Sequence, residues 1–409
     1  MITIKKIEYY LFALAGLATF YLPFQVTFIL SLIGFLLPII KKGFPNYQRN
    51  VLLLPFLLII LGLINSYRNS GYLVIKDVGY FINPIITMGF GFAFAYYVGI
   101  KQFLRLVFFI SLILGFAYLV TFNFSNQFAS VQAMKDVNGQ ASYFVIFGLF
   151  ILLFYKRILQ FKKYSSPILI LSFMVLLIVS FITKSRTFIA IFILLILFAR
   201  GNFSLGKYFI LKLVSLILVL SVIIISILSI NTNDSSGFIG KFGNTFQEIT
   251  PSDYNSMSEI NNDWRGYETY RGLMQIEKGN LFNWIVGQGF GQTAPLGITI
   301  TLGGTAFNAI PKFHNGYITL LLKTGVFGVL VYVVFLLKIF FNNIKRDTKD
   351  NKVVNGFLVA IPLILIFTTF IIGGWLNPSS MFPFIFSLGY FLNLKHLDKK
   401  GRGFYPYQK

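Results

Sequence analysis

The chain is 409 residues long, 56% hydrophobic and only 12% charged, with a mean hydropathy of +0.75. A soluble domain carries roughly a quarter charged residues, so these values exclude a water-soluble protein and point to a polytopic membrane protein. The net charge is +22, from 35 Lys and Arg against 13 Asp and Glu, and it suggests nucleic acid only if topology does not already explain it. The absence of cysteine excludes disulfides and thiolate metal sites, and two histidines are too few for a His-rich centre.

A helix that spans a bilayer needs about 20 mostly apolar residues. Twelve stretches qualify as candidates: 7–21, 23–40, 51–66, 78–99, 103–122, 140–155, 167–183, 187–199, 208–230, 314–341, 353–372 and 380–394. The fold class expected is an all-α polytopic membrane protein. The first two stretches share one apolar run divided near Pro23. Lys5 and Lys6 before that run, with Ala13-Leu14-Ala15 inside it, resemble a signal peptide. Because the run continues to Ile40, a retained anchor is the better reading. Between the spans, alternate short connections and the tail hold 22 of the 35 basic residues, and the opposite connections hold only Arg68, Lys76, Lys135, Lys184 and Arg186. Basic excess marks the cytoplasmic side. Both termini are therefore expected in the cytoplasm, and the charge needs no nucleic acid.

The sequence divides into an N-terminal bundle (1–230), a long outer loop (231–313), three C-terminal spans (314–394) and a basic cytoplasmic tail (395–409). The loop is polar and carries seven of the thirteen acids. A loop this long is usually functional or disordered, and its aromatics and the apolar run Leu281 to Val286 predict a partly folded cap.

Several residues could carry chemistry at the outer face. His314 stands where the loop re-enters the membrane, in His314-Asn315-Gly316-Tyr317. If helical from there, Leu321, Gly325 and Gly328 share its face. Its imidazole suits proton transfer near neutral pH, and a hydrogen-bonded interfacial histidine is the plainer alternative. Arg186, in Lys184-Ser185-Arg186-Thr187, suits phosphate or simply snorkels to headgroups. Arg265 and Arg271 flank Glu268 at i+3 spacing, which surface ion pairs would explain; a cationic, aromatic surface is the alternative. Gly287-Gln288-Gly289-Phe290-Gly291 lacks the strand and helix of a nucleotide-binding fingerprint, and reads as a tight turn that lets a backbone or ligand approach. Lys323, nine residues past His314, requires a partner that the sequence does not identify.

The order is Ser185-Arg186 at a span end, a long outer loop with an arginine and a Gly-x-Gly-x-Gly turn, then His314-Asn315-Gly316-Tyr317 with Gly325 and Gly328 downstream. It resembles the bacterial O-antigen ligase and O-antigen/capsule polymerase family over residues 180 to 340. Lys323 departs from the pattern, which often has glutamate there. The resemblance implies a multi-pass protein of the bacterial cytoplasmic (inner) membrane that joins undecaprenyl-diphosphate-linked oligosaccharides on the outer face. It implies catalytic roles for His314, Arg265 and Arg186. It further implies diphosphate or substrate contacts from Arg186, Arg265, Arg271, Gly287, Gly289, Gly291, Asn315 and Tyr317. No cofactor and no metal is expected. Partners would be the lipid-linked donor and acceptor, membrane lipids, and a chain-length regulator and flippase. The departure at Lys323 favours a polymerase over a ligase that uses a lipid A core. A flippase or other transporter remains a competing class, and it would require inverted repeats, broken helices and midplane charges. No repeat is visible in the sequence. A receptor or scaffold would leave His314 and Arg186 without roles.

Overall fold

The computed structural model describes residues 4–43, 45–124, 142–154, 166–182, 186–199, 254, 257–302, 305–344 and 352–399. In chain order the helices are α1 (Ile4–Tyr21), α2 (Phe24–Lys42), α3 (Asn46–Ile64), α4 (Gly71–Phe94), α5 (Ile100–Phe124), α6 (Ser142–Phe154), α7 (Ser166–Ile182) and α8 (Arg186–Leu194). There follow α9 (Met257–Asn262), α10 (Trp264–Glu277), α11 (Leu281–Val286), α12 (Gly316–Ile344), α13 (Lys352–Ile372) and α14 (Phe382–Lys399), with strands β1 (Ala294–Leu302) and β2 (Thr305–Ile310) before α12. Helices occupy eleven of the twelve apolar stretches, and the twelfth, 208–230, lies outside the described residues. Six helices among the described residues are long and apolar enough to cross a membrane. The chain is thus a largely helical membrane protein.

Two features differ from the sequence expectation. The fold is not purely helical, because β1 and β2 pair antiparallel, with Ala294 opposite Ile310 and Leu302 opposite Thr305. The alternation Ile298-Thr299-Ile300-Thr301, followed by Gly303-Gly304, was the available signal for a hairpin. A register shift falls between Pro295 and Ile300. Nor is α12 continuous: Gly325 has φ 68° and ψ −173°, so a short N-terminal helix meets a longer C-terminal one at a break. His314 precedes the helix, and the face shared by His314, Leu321, Gly325 and Gly328 does not form. Gly325 instead abuts the carbonyl of Ile285 in α11, and Gly328 abuts Thr324.

α14 is the central helix, buried on every side from Phe382 to Leu394. It crosses α4 with backbones nearly touching: a Cβ on Gly389 would collide with the Met88 carbonyl, and one on Gly91 with the Phe386 carbonyl. Small residues permit such approach where no hydrophobic effect drives helices together in lipid. Around the crossing, Phe12, Phe94, Phe103 and Phe386 interlock, with Phe12 and Phe386 centroids 4.3 Å apart. The outer surface is apolar, with Leu53 and Phe56 on α3, Ile113 and Phe116 on α5, and Phe327, Leu330 and Val334 on α12 all exposed. That belt is what lipid tails require. Gly389→Val, which places branched carbons against the Met88 backbone, is expected to cost at least about 3 kcal/mol, the upper range for overpacking. Thermal unfolding in detergent measures it, with Gly79→Val, a helical glycine of α4 that has no neighbour within 4 Å of its Cβ position, showing the helix-backbone cost alone.

Candidate functional site

One end of the bundle gathers the close of α3, the start of α4, the 257–316 segment and the close of α13. The segment is seated by its glycine turn. Gly287, Gly289 and Gly291 all have positive φ, at 86°, 88° and 84°, which favours glycine. Each lies against backbone or a helix end: Gly287 on Lys323 and Thr324, Gly289 on Asn65 and Ser66, Gly291 on Asn69 and Val74. The turn's polar groups meet protein partners. The Gln288 amide donates to the Leu322 carbonyl (2.8 Å) and the Phe290 amide to that of Gly62 (2.7 Å). The Asn65 side chain donates to the Gly287 carbonyl (2.7 Å), and the Asn69 side chain to those of Gln288 (3.2 Å) and Phe290 (2.8 Å). These contacts make the turn a docking device between helices.

Beneath the turn lies the partner that Lys323 required. Its ammonium is 2.5 Å from the carboxylate of Asp77 on α4, and both side chains are almost wholly buried (0% and 3% exposed). The same carboxylate oxygen accepts from the Gly291 amide at 2.7 Å, and the ammonium also donates to the Gln292 carbonyl. One ion pair thus joins α4, the turn and the N-terminal part of α12.

His314 is held by Glu268 of α10. Oε2 of Glu268 lies 2.8 Å from the imidazole Nδ1 and 3.0 Å from the His314 amide. A carboxylate facing Nδ1 places the proton there and leaves Nε2 with its lone pair. Glu268 is 6% exposed at the side chain and His314 48%, so a buried carboxyl group orients a half-exposed imidazole. The approach is close because Gly272, one turn along α10, packs on Ile318 and Phe313. Glu268 therefore turns to His314, not simply to the flanking arginines. The helix that carries it is capped by Asp263, which accepts from the Gly266 amide (3.3 Å) and from the Tyr254 hydroxyl (2.5 Å).

The two loop arginines separate. Arg271 donates from Nε to the Pro295 carbonyl (2.8 Å) and packs along Gly297, whose φ is 73°, so it clamps α10 to β1. The buried Tyr267 hydroxyl reinforces that clamp through the Leu296 carbonyl. Arg265, one turn before Glu268, stands within electrostatic reach of Tyr143 at the start of α6. Tyr143 also meets Phe188 edge-on, with centroids 5.0 Å apart. Phe188 lies two residues after Arg186, whose backbone opens α8, so the start of α8 packs beside the start of α6. Lys184 and Ser185 lie outside the described residues.

Asn315 and Tyr317 are occupied within the protein. The Asn315 side chain accepts from the Tyr317 amide (3.1 Å), and the Tyr317 hydroxyl donates to the Ile366 carbonyl (3.0 Å). A residue not singled out in the sequence, Lys312, donates to the Leu376 carbonyl (2.7 Å) with its ammonium 4.6 Å from the Tyr80 ring centroid. Burial pushes its pKa down to about 8, against the opposing pull of Asp77. Among the described residues, no cluster of three or more His, Asp or Glu is placed to hold a metal ion. No family model matches the chain, and no curated protein matches it.

Two outcomes test this geometry. Asp77→Ala or Lys323→Ala leaves a buried charge alone and should cost about 3–5 kcal/mol, whereas Asp77→Leu with Lys323→Met should recover most of that loss. Thermal unfolding of all three variants decides it; equal losses in singles and double would mean that the pair holds nothing together. For Lys312, the folded state favours the neutral amine from about 8 upward, and the unfolded chain only from its ordinary 10.5. The native state binds fewer protons across that window, so stability gains from this group as pH rises from about 8 to 10.5. Unfolding measured at pH 7.5, 9 and 10.5 should show a smaller rise for Lys312→Met than for wild type.

Proposed function

We propose that the protein is a membrane glycosyltransferase that polymerises undecaprenyl-diphosphate-linked oligosaccharide repeats on the outer face of the bacterial cytoplasmic membrane. Its product would be O-antigen, capsule or exopolysaccharide. The topology that goes with this reading has twelve spans, both termini in the cytoplasm and the 231–313 loop outside, as the distribution of basic residues favours.

The observation that carries the reading is the Glu268–His314 pair. A buried carboxylate that fixes one imidazole nitrogen and leaves the other accessible is the arrangement of a general base. In the proposed reaction, Nε2 of His314 takes the proton of an acceptor sugar hydroxyl as its oxygen attacks the anomeric carbon. The bond from that carbon to the diphosphate oxygen breaks, and the diphosphate departs with the electron pair. Arg265 and Arg186 stabilise its developing charge. Attack opposite the leaving group inverts the anomeric centre. The order of motifs resembling the O-antigen ligase and polymerase family supports the same assignment, and Glu268 adds to it a residue that orients the base.

A second reading, a flippase for lipid-linked oligosaccharide, is favoured by one observation: the break at Gly325 beside a buried Lys323–Asp77 pair has the character of a discontinuous transporter helix.

The test uses purified full-length protein with a defined undecaprenyl-diphosphate oligosaccharide, with and without chelator. The polymerase reading expects a ladder of products that survives chelation. His314→Ala should lower turnover about a hundredfold or more, as removal of a general base does. Glu268→Gln should lower turnover with little change in KM, and Arg186→Ala should abolish polymer at normal protein level. Transfer only to added lipid A core would indicate a ligase. Translocation in liposomes without turnover would establish the transporter and end the enzyme reading.

A further inference from the structure

At the end of the bundle opposite His314, a cavity of about 400 Å³ opens between α3, α12 and α14. Its polar lining includes Asn50 from α3, Lys338, Asn342 and Asn343 from α12, and Lys395, His396 and Lys399 from α14. Among the described residues, no acidic side chain lines it. Lys395 is oriented by two amide oxygens, those of Asn343 and Asn355, each 2.5 Å from its ammonium. His396 stacks flat on Tyr47 of α3, with centroids 4.0 Å apart and planes 3° from parallel, which fixes one wall. The proposed chemistry at the other end makes no use of this cavity.

Its shape of charge and grease points to one kind of ligand. Three lysines, a histidine and neutral amides form a donor-rich mouth. Phe335 and Leu54 line the apolar side, and Val334 and Phe341 stand exposed on α12, four residues before and three after Lys338, where lipid tails would run. A free anion needs only the first feature; a lipid needs both. We infer that this cavity binds the anionic, phosphate-bearing headgroup of a membrane lipid, with its acyl or prenyl chains lying along α3 and α12. Basic pockets between helices commonly hold anionic headgroups, and each lysine near the surface contributes to that attraction. The inference is independent of the glycosyltransferase reading and of which leaflet the cavity faces.

The experiment is binding to the full-length protein in neutral phosphatidylcholine nanodiscs, read by native mass spectrometry and by thermal shift. The probes are phosphatidylglycerol, undecaprenyl phosphate, additional phosphatidylcholine and inorganic phosphate. Either phosphate-bearing anionic lipid should bind and raise the melting temperature, and which of the two binds more tightly identifies the source of the headgroup. Lys338 and Lys399 are exposed, so Lys338→Gln with Lys399→Gln should fold normally. The double variant should bind roughly thirtyfold more weakly, at about a factor of five per lysine. Asn342→Asp, which adds one carboxylate at an exposed lining position, should also weaken binding, and Lys41→Gln, outside the lining, should not. Equal binding of phosphatidylcholine would overturn the proposal, as would an equal shift with inorganic phosphate alone or unchanged affinity in the double variant.

Discussion

The end of the bundle that carries His314 depends on one buried ion pair. Lys323 would be costly in the bundle without a counter-charge, and Asp77 supplies it at 2.5 Å. The pair does more than neutralise. Asp77 also takes the Gly291 amide, and Lys323 the Gln292 carbonyl, so the glycine turn cannot leave without exposing both charges. With the turn fixed, α11 lies against the break in α12 and α10 follows onto the start of that helix. Glu268 then reaches His314. His314 is oriented by a carboxylate whose own position traces back, through packed backbone, to a lysine and an aspartate that the proposed chemistry never touches.

The glycines show how tightly that chain of contacts is drawn. Gly287 and Gly325 occupy positive φ and face one another across α11 and α12, where a Cβ on either would strike the other segment's backbone. Sequence spacing alone places Gly325 on one continuous helix face with His314 and Leu321. Its conformation shows that it ends one helix and begins another, which allows the N-terminal part of α12 to tilt under the turn.

Much of the helical plan was legible, because long apolar runs have few alternatives in a bilayer. The hairpin leaves a fainter mark, because an alternation of four residues before Gly303-Gly304 carries little weight beside apolar runs of about 20. His314 could be singled out as the one histidine at the re-entry point; its partner could not. Glu268 sits three residues from both Arg265 and Arg271, and spacing favours those local pairs over a contact 46 residues away. Asp77 was within reach of an argument by scarcity: with 13 acids in the chain, a lysine inside a span has few possible partners. The distinction between Arg265 and Arg271 was not available from sequence, because it depends on the Pro295 carbonyl and on Gly297, which the hairpin brings to Arg271.

The most direct test of the central claim is a structure of the full-length protein with a non-hydrolysable undecaprenyl-diphosphate oligosaccharide and an acceptor sugar. The account predicts the diphosphate beside Arg265 and the start of α8, and an acceptor hydroxyl about 3 Å from Nε2 of His314, within proton-transfer reach. A donor seated elsewhere, with His314 facing no sugar hydroxyl, would contradict it.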